Sequence, residues 1–105
     1  MQSSNLAGTL TLCRRAGRLA VGYDQVKESV QKTDAFLILL AQDVSPKTAE
    51  RVRFLAAGDG LPVYELPFSM DEMEQLLGKR IGVTAVADRG FAGSLLKKLE
   101  ELSGR

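Results

Sequence analysis

The sequence predicts an α/β fold: a three-layer α/β/α sandwich in which five helices cover a four-stranded mixed sheet. Segments with apolar residues at helical spacing alternate with short apolar runs in the order α-β-α-β-α-β-α-β-α, which favours a sheet between two helical layers. One run, Ala-Phe-Leu-Ile-Leu-Leu-Ala at residues 35–41, is apolar without alternation, as in a strand covered on both faces. At 105 residues, the chain is predicted to form one domain over residues 1–105.

The first helix is predicted from Leu6, Leu10 and Cys13, which recur at helical spacing after a capping serine, Ser3 or Ser4. The chain contains no histidine that could activate the thiol, so we expect this cysteine to be a small core residue rather than a nucleophile. A single cysteine also excludes an intramolecular disulfide and fits a reducing compartment.

A strand and a second helix are predicted to follow the first helix closely. Gly17 ends the first helix, because glycine adopts the left-handed conformation without steric cost. Residues 19–21 form a short strand, and Gly22 opens the second helix, residues 24–32. The apolar run described above then forms the central strand.

The third helix has a clear start signal. Ser45 suits the N-cap, and Pro46 suits the first helical position, where its missing N–H group is no loss. Gly58 ends this helix, and residues 61–66 form the third strand.

The last three elements are also marked by their caps. Ser69 and Glu72 form a capping box at the start of the fourth helix, which ends at Gly78. Residues 81–87 form the fourth strand, and Asp88 caps an amphipathic last helix.

Basic residues are concentrated towards both ends of the chain. Residues 1–34 have a net charge of +2, residues 35–77 of −4 and residues 78–105 of +3. If the fold brings the two ends together, they form a positive patch suited to nucleic acid. The alternative is that these charges are merely solvated faces.

The segment around Gly22 is the strongest candidate for a binding site. Arg14, Arg15 and Arg18 precede the glycine, which leaves bare backbone N–H groups at the start of the second helix. Such groups can bind a phosphate or a base edge.

Catalytic, metal-binding and membrane-bound functions are disfavoured. The chain opens with no secretory leader and has no apolar run near the ~20 residues of a membrane span, so we expect a cytoplasmic protein without membrane contact. With no histidine and one cysteine, we expect no zinc site and no cofactor. Asp43 and Asp88 each follow a strand and could pair around magnesium. No phosphate-binding loop or nucleophile–base pair accompanies them, so the chain is predicted not to be an enzyme.

Four segments of the chain form a recognisable series. They are Arg-Arg-Ala-Gly-Arg-Leu-Ala-Val-Gly (14–22), Ala-Phe-Leu-Ile-Leu-Leu-Ala-Gln-Asp-Val-Ser-Pro (35–46), Leu-Gly-Lys-Arg-Ile-Gly-Val (77–83) and Ala-Asp-Arg-Gly-Phe-Ala (87–92). In their order and spacing they resemble the ribosomal protein L7Ae family, and more narrowly its bacterial YlxQ-type branch. The resemblance implies the same three-layer fold and binding to kink-turn RNA, a bulged stem with tandem sheared G·A pairs.

The resemblance also implies two RNA-reading segments. The start of the second helix reads the G·A pairs, and a hydrophobic loop before the last strand, residues 79–83, covers the bulge. Ile81 would then contact a splayed nucleotide and Tyr23 would stack, unless Ile81 only begins the strand and Tyr23 is only a surface residue at the helix end. The residues predicted to contact RNA are Arg15, Arg18, Gly22, Tyr23, Asp24, Gln25, Lys27, Lys79, Arg80, Ile81 and Gly82.

The helix start departs from the family pattern at three positions. Asp24 replaces an asparagine, Gln25 a glutamate and Glu28 a lysine. An ionised aspartate can only accept hydrogen bonds, whereas asparagine can also donate to a base. Two hypotheses follow. The first is a monomeric, non-catalytic RNA-binding protein of the ribosome or translation, with structured RNA such as ribosomal RNA as its partner. The second is a protein-interaction module with the same fold that has lost kink-turn recognition.

Overall fold

The computed structural model describes residues 2–103, with side chains described from Asn5 to Leu102. The predicted capping side chains of Ser3 and Ser4 therefore lie outside the described residues. Over this part of the chain the elements alternate as predicted: α1 (Gln2–Arg15), β1 (Leu19–Val21), α2 (Tyr23–Gln31), β2 (Leu37–Leu40), α3 (Pro46–Ala57), β3 (Val63–Glu65), α4 (Met70–Leu77), β4 (Val83–Val86) and α5 (Arg89–Ser103).

The four strands form one mixed sheet in the order β1-β4-β2-β3. Strand β4 runs antiparallel to both β1 and β2, and β2 runs parallel to β3. In the centre of the sheet, Ala85 is paired with both Ala20 and Ile38. The mixed sheet and the interior position of β2 are thus confirmed.

The two faces of β2 pack against different helices, which creates the three layers. Leu37 and Leu39 face a core built with α1, α4 and α5, whereas Ile38 and Leu40 face a core built with α2 and α3. All four side chains are buried. Because both faces of the strand are covered, its sequence is continuously apolar, as the sandwich prediction required.

The side-chain caps predicted for the third, fourth and fifth helices are present. Ser45 accepts a hydrogen bond from the amide of Thr48 at 3.2 Å. At the start of α4, the Ser69 hydroxyl accepts from the Glu72 amide and the Glu72 carboxylate accepts from the Ser69 amide, which completes the capping box. Asp88 accepts from the amide of Phe91 at 2.8 Å. These side chains satisfy amide groups that a helix leaves unpaired at its first turn.

Strand β1 has its predicted bounds, whereas the other three strands are shorter than predicted. Strand β4 begins at Val83 instead of residue 81, because Val83 pairs with Leu40, the last residue of β2, and the last residue of β1, Val21, pairs with Thr84. The strands predicted over residues 35–41 and 61–66 are likewise shorter in the structure, where they correspond to β2 and β3. Helix α2 begins at Tyr23, one residue before its predicted start.

Cys13 is a core residue, as predicted. Its side chain is fully buried on α1, and its sulfur donates a hydrogen bond to the carbonyl of Arg18 at 3.4 Å. Burial and, to a smaller extent, the negative charge of Asp88 together raise the pKa of the thiol from 9.0 to about 11. In the part of the chain that the structure describes, no helix is long and apolar enough to cross a bilayer.

Candidate nucleic-acid interface

The start of α2 presents backbone donors that no side chain covers. Gly22 is the N-cap, with φ +88° and ψ 157°, a conformation in which only glycine is free of strain. It supplies no side-chain cap, and the first intrahelical bond there runs from the Val26 amide to the Gly22 carbonyl at 3.0 Å. The amides of Tyr23, Asp24 and Gln25 therefore have no partner within the helix.

The loop before β4 lies against this helix start. The Gly22 amide donates to the carbonyl of Val83 at 2.9 Å. The Lys79 ammonium nitrogen lies 4.0 Å from the position that a Cβ atom on Gly22 would occupy. Together they form a cleft of about 380 Å³, called here the α2-start cleft, lined by Val21, Gly22, Tyr23, Asp24, Gln25 and Lys79. The structure thus brings together the two segments that sequence analysis predicted separately.

The Gln25 side chain binds a backbone amide at the edge of the sheet. Its Oε1 atom accepts a hydrogen bond from the amide of Val21 at 3.0 Å, on the edge strand β1. This bond uses the acceptor end of the amide group, and the NH₂ group remains as a donor for a ligand. A structural role for Gln25 was not foreseen, because the contact depends on how α2 leaves the strand.

A second cleft continues from the first along the edge of β1. This β1-edge cleft, about 320 Å³, is lined by the predicted residues Arg18 and Gln25 together with Glu28 and Lys32 of α2 and six other residues. Gln25 lines both clefts, so the two clefts adjoin at this residue. Glu28 and Lys32 form an exposed ion pair with a separation of 3.2 Å. The negative charge introduced at position 28 therefore has a cationic neighbour.

Tyr23 is partly buried, and the cationic group of another residue lies over its ring. The guanidinium carbon of Arg51, on α3, lies 4.3 Å from the ring centroid, within the range of a cation–π contact. The sequence alone does not indicate Arg51, because the contact joins two helices whose packing side by side cannot be read from residue spacing. The only usable signal was the position of an arginine on the polar side of an amphipathic helix.

Ile81 points into the protein rather than towards a ligand. Its side chain is 4% exposed and belongs to the core formed with α1, α4 and α5. This burial contradicts the predicted apolar contact between Ile81 and a nucleotide. Its neighbour Gly82 lies so close to Val44 that a Cβ atom would be 2.7 Å from a Val44 methyl carbon. Gly82 therefore lets the loop pack against the chain that follows β2.

The remaining predicted contact residues are dispersed. Arg80 forms an exposed ion pair with Asp71, with 3.0 Å between Nε and Oδ1. Arg15 lines a separate groove between α1 and α5 together with Lys98. Lys27 is exposed on α2. Of the predicted cations, Lys79 and Arg18 are the ones that line the two connected clefts.

The two carboxylates considered for magnesium have structural roles. Asp43 accepts a hydrogen bond from the amide of Met70 at 2.8 Å, at the start of α4, and Asp88 caps α5. Among the described residues, no group of three or more acidic or cysteine side chains is placed to hold a metal ion.

Comparison with solved structures shows a shared fold. A protein of unknown function from Bacillus halodurans C superposes with a TM-score of 0.84 and 25% identity, covering 90% of this chain and 96% of the other. A Giardia lamblia 15.5kD RNA binding protein superposes with a TM-score of 0.75 over 96% of this chain and 89% of the other, at 15% identity. These likenesses confirm the α/β fold with a four-stranded mixed sheet and five helices.

Sequence comparison identifies relatives over most of the chain. The RNA-binding protein YlxQ of Bacillus subtilis is 34% identical over 96 residues, covering 87% of this chain and 91% of the relative. The YlxQ protein of Enterococcus faecium is 33% identical, covering 96% of this chain and 90% of the relative. The large ribosomal subunit protein eL30 of Aeropyrum pernix is 27% identical, covering 83% and 88%. Residues 4–94 match the model of one family, and the chain therefore belongs to the ribosomal protein L7Ae/L30e/S12e/Gadd45 family.

Proposed function

We propose that this protein binds kinked or bulged RNA in the α2-start cleft and does not catalyse a reaction on it. The observation that carries the proposal is the meeting of an uncapped helix start with Lys79 in one cleft. Helix starts attract anions because unpaired amide groups and the helix dipole both favour negative charge. The lysine adds a full positive charge at the same place.

The donors in this cleft suit the base edges of an RNA that departs from the regular duplex. Unpaired backbone amides at the start of α2 and the NH₂ group of Gln25 can donate to carbonyl oxygens and ring nitrogens of bases. A regular A-form duplex hides these atoms in a deep, narrow groove, whereas a bulge or kink exposes them. We therefore favour a bulged RNA over a plain duplex as the ligand.

The β1-edge cleft would then receive the RNA backbone. Arg18 lines this cleft, and Lys27 is exposed on the same helix as Gln25. Each phosphate neutralised by such a side chain adds affinity that weakens with salt. Lys32 partly offsets the charge of Glu28, so the acidic substitution at that position does not by itself exclude a phosphate nearby.

The names of the relatives support an RNA ligand connected with translation. Two relatives are named RNA-binding protein YlxQ, and a third is named as a protein of the large ribosomal subunit. By extension, ribosomal RNA is the first ligand to test for this chain, and the ribosome its first candidate partner.

A second candidate function is a protein-interaction module that has lost kink-turn recognition. The observation that favours it is the presence of carboxylates among the cations of the interface, where Asp24 lines one cleft and Glu28 the other. In addition, Arg80 is held by Asp71 and is less available to a phosphate. A protein with a basic surface would complement these groups.

Removing single cations distinguishes the two functions. We expect Lys79→Ala and Arg18→Ala each to weaken RNA binding about three- to tenfold, because each removes one phosphate contact. Lys97→Ala is the matched control, since it removes the same charge from an exposed position on α5, in the opposite helical layer. RNA binding that is unaffected by the first two variants would contradict the proposed site and favour the protein-interaction module.

A further inference from the structure

Helix α3 carries a row of exposed side chains beside the proposed RNA site. Lys47, Arg51 and Phe54 are spaced four and three residues apart, so they share one face of the helix. All three are exposed, and Phe54 is 85% exposed. At this exposure the Phe54 ring gains almost no stability from burial, so nearly its whole face is open to a ligand.

The row meets the α2-start cleft at Arg51, its middle residue. Arg51 lies over the ring of Tyr23 at 4.3 Å, and Tyr23 lines that cleft. Arg51 is thus fixed at the junction between the cleft and α3. The side chains of residues three apart on a helix are neighbours, which places the Phe54 ring next to this arginine.

We propose that an unpaired RNA segment adjoining the kinked core passes over α3, where one base stacks on Phe54 and phosphates meet Lys47 and Arg51. This inference rests on the proposed function and extends it to a second subsite. Proteins that bind single-stranded nucleic acid combine aromatic stacking faces with cations that follow the backbone, and this row has both. Every base has a stacking face, so the subsite would accept any sequence.

The surroundings of Phe54 favour RNA over a protein partner. A docking patch for a protein has an apolar centre made of several residues. Here the neighbours of the ring on its own helical face are charged instead of apolar: Arg51 lies three residues and Glu50 four residues before it, and Lys47 lies one turn further. The other large apolar side chain exposed in the described part of the chain is Leu12, on α1 in the opposite helical layer, and it cannot extend the same patch.

The test uses two kinked RNAs with the same core, one with blunt ends and one with three unpaired adenosines added to each end. We expect the wild-type protein to bind the extended RNA more tightly, and Phe54→Ala to weaken binding of that RNA about tenfold while leaving the blunt RNA unaffected. Phe54→Trp should retain the tight binding, because a larger aromatic ring still stacks. Leu12→Ala is the control for loss of an exposed apolar side chain.

The outcomes separate this inference from the proposed function. Tight binding of the kinked core with no effect of Phe54→Ala on either RNA would overturn the inference and leave the proposed function standing. No binding of any kinked RNA would overturn both. If Phe54→Ala instead abolished capture of a protein partner while RNA binding was unchanged, the row would be a protein-docking surface and the inference would be wrong.

Discussion

The backbone amide of Gly22 donates a hydrogen bond of 2.9 Å to the carbonyl of Val83. This bond ties the N-cap of α2 to the first residue of β4, at the end of the segment formed by residues 79–83. Lys79, at the start of that segment, lines one cleft with Gly22 and Gln25, although it is 57 and 54 positions away from them in sequence. The proposed RNA site depends on this fixed spacing, so substitutions at the glycines of the two segments test its importance.

Substitution of Gly22 by alanine should destabilise the protein and its RNA complex. At φ +88° and ψ 157°, a residue with a Cβ atom is strained by about 1–3 kcal/mol. The free energy of unfolding, measured by urea denaturation, should fall by that amount, and RNA affinity should fall as well because the α2-start cleft changes shape.

Gly8→Ala is the matched control for this substitution. Gly8 is exposed inside α1, and a Cβ atom there meets nothing within 4 Å. Alanine in a helix interior is favoured over glycine, so this variant should be more stable by about 0.5–1 kcal/mol. Equal effects of the two substitutions would contradict the strain assigned to Gly22.

Substitution of Gly82 by alanine should be relieved by a second substitution at Val44. The added Cβ atom would lie 2.7 Å from Cγ2 and 3.3 Å from Cβ of Val44, and rotation of the valine cannot remove the second contact. We expect Gly82→Ala to lower the free energy of unfolding by about 1–3 kcal/mol. The double variant with Val44→Ala should recover part of this loss, which a double-mutant cycle measures. Strictly additive effects would show that the two residues do not compete for space.

Asp24→Asn should strengthen RNA binding. The change removes a negative charge from the α2-start cleft and introduces a hydrogen-bond donor towards the bases. We expect affinity to rise about three- to tenfold in a fluorescence titration. Asp59→Asn, at an exposed position in the turn after α3, controls for the change in net charge. A similar gain for both variants would mean that only net charge matters, and no gain for Asp24→Asn would contradict base recognition at this position.

Because the Cys13 thiol is buried, we predict that the free energy of unfolding falls at alkaline pH. The pKa of Cys13 is 9.0 ordinarily and about 11 in the folded protein, so the unfolded chain releases the proton first as the pH rises. The free energy of unfolding therefore keeps the full contribution of the thiol below pH 9. It falls by about 2–3 kcal/mol between pH 9 and pH 11. Denaturation midpoints of the wild type and of Cys13→Ala, compared across that interval, isolate the contribution of the thiol. Parallel pH profiles for the two proteins would contradict the shifted pKa.

Local signals explain why the fold was predictable. The capping box at Ser69 and the cap at Asp88 mark helix starts by short-range chemistry, and the continuously apolar segment of β2 reports its two covered faces. Strand ends were predicted too far out, as at Ile81, because they depend on where a partner strand turns away.

The candidate site was only partly predictable. The site at Gly22 followed from the bare helix start and the nearby arginines, Lys79 followed from the family resemblance, and both line one cleft. The burial of Ile81 and the contact between Arg51 and Tyr23 arise from packing between elements distant in sequence, which no local pattern contains. The prediction that the chain is not an enzyme agrees with its family, whose RNA-binding members are non-catalytic.

The most direct test of the account is a titration of the protein into a fluorescent kink-turn RNA and into a matched duplex without the bulge, at low and at physiological salt. We predict tighter binding of the kinked RNA at both salt concentrations, because donors at the start of α2 read exposed base edges in addition to phosphates. Equal binding of the two RNAs that falls steeply with salt would reduce the site to a general cationic surface and contradict shape-specific recognition.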